Sequence, residues 1–187
     1  MIVIGLIGMP GSGKGECARM AEDFSIPVFH MGDLVRDLTR KRKLELTDEH
    51  VGSIAHSERE KFGYGIWAKR TLAKIEGLTL QPNEIIVIDG IRGESEISVF
   101  HDAFGEDFKT VAVKIPEEKR FQLLQQRKRS DAPISQKEFS VREEREVKWG
   151  IKKALEEADY IIFNTGTLPE LKASFMALLE KIKARSV

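Results

Sequence analysis

The sequence predicts an open α/β fold with three α/β/α layers and a five-stranded parallel sheet, on three observations. Short, continuously apolar runs recur at Ile2–Ile7, Pro27–Phe29, Ile85–Ile88, Thr110–Ile115 and Tyr160–Phe163. Runs that stay apolar instead of alternating suit strands buried on both faces, as in a parallel sheet covered by helices. The gaps between them carry helical periodicity, and a glycine-rich stretch with a single lysine follows the first run directly. Strands alternating with helices imply right-handed βαβ units whose ligands sit at the carboxyl ends of the strands.

Each element has its own signal. After the first run, Cys17, Met20, Ala21 and Phe24 repeat at three-to-four spacing and form one apolar helix face. Leu168, Leu171, Phe175, Leu178, Leu179 and Ile182 do the same in the last helix. Thr167 and Glu170 have capping-box spacing at its start, and Pro169 sits in the first turn, where a missing amide costs nothing. Between Arg36 and Pro82 no strong strand signal appears, only charged, helix-prone sequence punctuated by Gly52, Gly63, Gly65 and Gly77. This predicts a helical insertion at about 37–81. A second polar stretch, about 127–145, carries several arginines and is expected to be a mobile cover. The remaining segments, 1–36, 82–126 and 146–187, form the core of one domain spanning 1–187, since a domain usually takes roughly 100–200 residues.

Composition narrows the function. With 30 Lys+Arg against 30 Asp+Glu the formal charge is zero, so no global field draws the chain to nucleic acid or to an anionic membrane, and any anion site must be local. The single cysteine, Cys17, fits a reducing compartment. The apolar start runs into glycines instead of a cleavage site, and no run is long enough to cross a bilayer. A soluble, cytoplasmic protein is expected, with oligomeric state left open. His30, His50, His56 and His101 show no compact metal-ligand spacing.

The segment GMPGSGKGE, Gly8 to Glu16, decides the chemistry. Its Gly8-x4-Gly13-Lys14 spacing, between a buried strand and an amphipathic helix, is that of a phosphate-binding loop. Glycines let successive backbone N–H groups face phosphate oxygens, the helix N-terminus adds partial positive charge, and Lys14 reaches the β and γ phosphates. Gly8, Met9, Pro10, Gly11, Ser12, Gly13, Lys14, Gly15 and Glu16 are therefore the candidate nucleotide-binding residues. Glycine at position 15 stands where most such loops place the hydroxyl that helps to hold Mg²⁺.

That variant resembles the loop of adenylate kinases and related P-loop nucleoside monophosphate kinases. The family holds magnesium largely through water and phosphates, in keeping with the reluctance of Mg²⁺ to shed its water. GDLVR, Gly32 to Arg36, is similar to the family's segment after strand two, and IIVIDGIRG, Ile85 to Gly93, to strand three ending in Asp-Gly before an arginine. The resemblance implies that Asp33 and Asp89 are water-mediated magnesium partners and that Arg36 and Arg92 hold the acceptor. QQRKRSD, Gln125 to Asp131, and VREER, Val141 to Arg145, resemble the arginine-bearing lid, which implies catalytic roles for Arg127, Arg129, Arg142 and Arg145. Arg142 and Arg145 are spaced i,i+3, so a helix would project them from one face. ADYIIFNTGTLPEL, Ala158 to Leu171, is similar to the closing loop of dephospho-coenzyme A kinases, which implies Asn164 beside the adenine; a turn followed by a helix cap is the other reading of those residues.

Departures bear on the acceptor. Adenylate kinases read D-G-F-P-R where this chain reads Asp89-Gly90-Ile91-Arg92, Met31 replaces a hydroxyl residue, and Glu16 replaces the usual threonine. The overall pattern resembles, more than ordinary adenylate kinases, a little-characterised adenylate-kinase-related family known mainly from archaea, which shares features with dephospho-coenzyme A kinases. In the insertion, Phe62, Tyr64 and Trp67 could stack on a base, although packing onto the body is the more ordinary role. The expected function is ATP- and Mg²⁺-dependent transfer of the γ-phosphate to a small phosphorylated acceptor, a nucleoside monophosphate or dephospho-coenzyme A. The alternative is a nucleotide switch or slow ATPase that acts through a protein partner.

Overall fold

A computed structural model describes residues 1–77, 84–126 and 135–185. The sheet is parallel throughout, in the order β2-β3-β1-β4-β5. Its strands are β1 (Ile2–Ile7), β2 (Val28–His30), β3 (Ile85–Ile91), β4 (Phe108–Lys114) and β5 (Tyr160–Phe163). All five expected strands form, and β3 runs past the expected Asp-Gly end to Ile91, with Asp89 paired to Leu6 and Gly90 at a bulge before Ile91 pairs with Ile7.

The apolar continuity of β1 has the cause expected of a central strand. Ile2, Ile4 and Leu6 face one layer, where they meet α1 (Lys14–Asp23) and α9 (Leu168–Arg185) through Cys17, Ala21, Phe175 and Leu179. Val3 and Ile7 face the other, a larger cluster that includes Trp67, Phe100 and Trp149. Gly5 interrupts that face because a Cβ there would lie 2.5 Å from the Ile91 side chain and 2.9 Å from the Phe108 ring.

The insertion is helical, as expected, and starts earlier than the sequence suggested. α2 (Met31–Lys41) contains the whole Gly32–Arg36 segment and is followed by α3 (Asp48–Phe62) and α4 (Ile66–Ile75). Trp67 anchors it. This side chain is 1% exposed and donates from its indole nitrogen to the Ala55 carbonyl at 3.1 Å, the ordinary packing role for an aromatic of the insertion. Phe62 and Tyr64 remain exposed.

α5 (Glu94–Phe104) returns the chain to β4, and α6 (Glu117–Gln126), α7 (Gln136–Lys148) and α8 (Ile151–Glu156) lead to β5. In the 127–145 stretch, α7 is the described part, capped by Ser135, which accepts from the Glu138 amide. The α9 capping box forms: Glu170 accepts from the Thr167 amide at 2.6 Å, and the Glu170 amide donates back to Thr167 at 3.4 Å. Among the described residues no helix is long and apolar enough to cross a membrane.

Candidate functional site

The carboxyl ends of β1, β2 and β3 open into a cavity of about 290 Å³ lined by Lys14, His30, Asp33, Asp89 and the guanidinium groups of Arg36, Arg59, Arg92, Arg142 and Arg145. Five guanidinium groups drawn from α2, α3, α7 and the segment after β3 thus converge on the lysine of the loop.

The loop has the backbone its glycines were expected to allow. Gly11 and Gly13 have φ of 82° and 100°, the left-handed region that side chains disfavour. A Cβ on Gly11 would lie 2.5 Å from the Arg120 carbonyl, and one on Gly13 2.4 Å from the Asn164 amide nitrogen. Gly13 is the N-cap of α1 and offers its first turn no side-chain cap. A helix start left in this way suits an anion. The buried Ser12 hydroxyl also has no hydrogen-bond partner in the protein, nor has the buried Oδ1 of Asp89. An orphaned carboxylate oxygen at the strand end, on the cavity that the loop also lines, fits a polyphosphate and its hydrated metal ion.

Asp89 is fixed from below. Its Oδ2 meets His30 Nδ1 at 3.1 Å, and His30 Nε2 meets Glu22 at 3.2 Å. Burial pushes the Asp89 carboxyl up, but the His30 hydrogen bond with the Lys14 and Arg92 charges outweighs it and holds the group below the usual carboxylate range. The same bond to Asp89, against some desolvation, lifts His30 to about 9. Asp33, by contrast, is more than half exposed and pairs with Arg36 at 2.5 Å along α2, so the expected metal partner and the expected acceptor clamp neutralise one another.

Arg92 proves to be a brace across the site. It donates to the Gly8 carbonyl at 3.1 Å and pairs with Glu146 of α7 at 3.1 Å, while its backbone amide donates to Glu96 at 2.6 Å. Glu96 also receives Arg59 at 2.7 Å, both side chains under 5% exposed, and Arg59 stacks 4.1 Å from the Trp149 ring. Burial raises the Glu96 carboxyl despite these cations. Arg142 and Arg145 do project from one face of α7, and both pair with Asp48 of α3, at 3.3 and 2.9 Å.

Asn164 sits at the loop, where its amide donates to the Ser12 carbonyl at 3.0 Å. Glu16 turns back to pair with Arg19 one turn on. Arg127 and Arg129 lie outside the described residues. Sequence reasoning missed Asp48, Arg59, Glu96, Arg120 and Glu146. Arg120 is buried, pairs with Glu143 of α7 and supports Gly11 with its carbonyl, so it joins the loop to the covering helix.

A family model described as an AAA domain matches residues 7–140. A UPF0200/UPF0201 protein of Archaeoglobus fulgidus is 42% identical over 182 residues, covering 97% of this chain and 56% of that protein. A UPF0200 protein of Methanoculleus marisnigri is 40% identical over 185 residues, covering 99% of both. The chain belongs to the UPF0200 family and carries the AAA domain. It spans little more than half of the Archaeoglobus relative and nearly all of the Methanoculleus one. Among solved structures, a shikimate kinase from Acinetobacter baumannii superposes with a TM-score of 0.61 at 18% identity, covering 97% of this UPF0200 chain and 94% of the kinase. A shikimate kinase from Bacteroides thetaiotaomicron gives 0.62, also at 18%, over 96% and 98%. The fold of this UPF0200 protein is therefore that of P-loop kinases.

Proposed function

We propose that the chain is an ATP- and Mg²⁺-dependent phosphotransferase that moves the γ-phosphoryl group to a small phosphorylated acceptor. The observation that supports this best is the convergence on Lys14 of guanidinium groups from four separate segments, beside an orphaned carboxylate oxygen of Asp89. Binding a nucleotide needs the loop; placing a second anion in line with its terminal phosphate needs further cations on the far side.

In this reading the loop amides and Lys14 hold the β and γ phosphates, with Arg142 and Arg145 approaching from α7. Bound Mg²⁺ would neutralise charge on the phosphates, and Asp89, with Asp33, would orient its water ligands. Arg36 and Arg92 orient the acceptor. An acceptor oxygen bonds to the γ-phosphorus as the bond to the β,γ-bridging oxygen breaks, and ADP departs. A nucleoside monophosphate attacks through a phosphate oxygen that is already deprotonated at neutral pH and needs no side-chain base, whereas the attacking ribose hydroxyl of dephospho-coenzyme A would pass its proton to a carboxylate of the cavity such as Asp33. Closure of α7 excludes water, which would otherwise compete as acceptor. The acceptor is a nucleoside monophosphate or dephospho-coenzyme A.

The test is incubation with γ-labelled ATP, Mg²⁺ and a panel of nucleoside monophosphates and dephospho-coenzyme A. Label should move to one acceptor. Label found only as inorganic phosphate, at a rate no acceptor changes, contradicts the proposal.

A further inference from the structure

Arg142 and Arg145 converge on a single carboxylate, Asp48, the first residue of α3, which follows the cap residue Thr47. Both Asp48 oxygens accept from Arg145 Nη2, at 3.0 and 2.9 Å, and Oδ1 lies 3.3 Å from Arg142 Nη1. The contact is built closely. A Cβ on Gly52, one turn further along α3, would lie 2.4 Å from the Arg145 guanidinium, and the Trp149 ring lies 5.7 Å from it.

Asp48, Gly52 and Arg145 line the inner cavity and also an outer one of about 810 Å³ between α3 and α7, so they are the wall that separates the two. The inner cavity of about 290 Å³ lies below the roughly 300–1,000 Å³ that encloses one drug-sized ligand, and a phosphotransfer site must take a triphosphate tail together with an acceptor. Parting of this wall would join the two cavities into one larger space. One carboxylate facing two guanidinium groups is also the arrangement those groups would make with a phosphate. A carboxylate and a phosphate cannot share it without like-charge repulsion.

We propose that Asp48 is an internal stand-in for nucleotide phosphate: it latches α7 onto α3 in the empty site, and the incoming phosphate displaces it from Arg142 and Arg145. This rests on the phosphotransfer reading and adds a regulation to it. The apparent affinity for nucleotide is weakened by the fraction of molecules in the latched state, so removing the latch strengthens binding.

The experiment measures binding of Mg²⁺·ATP and of tripolyphosphate, which has no base, to wild type, Asp48→Asn, Asp48→Ser and Lys14→Ala. The Asn and Ser variants keep a residue suited to a helix start. Both should bind both probes about 5- to 30-fold more tightly than wild type. In the nucleotide-free variants, amide exchange across 136–148 should be faster than in wild type, and the difference should vanish at saturating Mg²⁺·ATP. Unchanged or weaker binding in both folded variants overturns the latch. If wild type transfers phosphate but the variants bind no more tightly, the latch alone fails. If wild type binds neither probe and matches Lys14→Ala, the phosphotransfer reading falls with it.

Discussion

At the scale of single residues, the proposed reaction divides the site into groups that would touch phosphate and groups that hold those groups in place. Lys14 belongs to the first set, and its replacement by alanine should lower turnover with every acceptor by about 10²–10³-fold, as measured by initial rates. Arg36→Ala should instead raise the acceptor KM by at least about tenfold while leaving ATP affinity within about twofold, because it stands on the α2 side of the cavity. Equal loss of ATP affinity in both variants would contradict that division. Glu96 belongs to the second set, since it holds both Arg59 and the Arg92 amide in a buried position. Glu96→Ala leaves the Arg59 charge buried without its partner, which costs about 3–5 kcal/mol. Thermal unfolding should show this as a midpoint lowered by about 6–20 °C at this chain length. A shift of under 2 °C would show that Arg59 finds water instead.

At the scale of elements, helix ends and helix contacts carry the testable consequences. Glu170 accepts from the Thr167 amide and hydroxyl at the start of α9, and those bonds hold its carboxyl below the usual range. A lowered value means that this stabilisation is present above the ordinary carboxylate pKa and is lost as pH falls through the folded-state value. Glu170→Gln should therefore melt below wild type at pH 7, with the gap closing as pH falls below the ordinary glutamate value. A gap that does not narrow on acidification would assign the effect to something other than charge. In α3, Gly52→Ala should gain about 1 kcal/mol of helix propensity yet push the Arg145 guanidinium aside. Its melting temperature should be no lower than that of wild type, while Mg²⁺·ATP binding tightens as in Asp48→Asn.

The elements also show what was legible beforehand. The strand, glycine loop and helix from Ile2 to Asp23 were readable because their signals are local: apolar continuity, left-handed glycines and three-to-four spacing. The Asp48 contact was not, because it joins residues 97 apart in the chain, and Asp48 alone reads as an ordinary first-turn acid behind Thr47. Arg92 was visible as a cation after β3, but its ties to Gly8, Glu146 and Glu96 depend on how α5 and α7 pack, which no periodicity encodes. Trp67 carries no mark in the sequence that separates a core indole from a stacking one; only its burial against Ala55 does.

At the scale of the whole molecule, a parallel sheet places the ends of β1, β2 and β3 side by side, so that the loop, His30 and Asp89 share one edge of the fold. The insertion α2–α4 and the covering helix α7 then close over that edge, with α7 tied to it by the Arg92–Glu146 pair and to α3 by the Arg145–Asp48 pair. The chain's overall neutrality is compatible with five arginines and a lysine on one cavity because the arginines are matched by carboxylates of the same chain. The most direct test of this account is a crystal structure with Mg²⁺ and a non-hydrolysable ATP analogue. The β and γ phosphates should lie within hydrogen-bond distance of the amides from Gly11 to Gly15 and of Lys14, with Arg142 and Arg145 turned from Asp48 to the γ phosphate. Phosphates bound elsewhere, or a filled loop with both arginines still on Asp48, would contradict it.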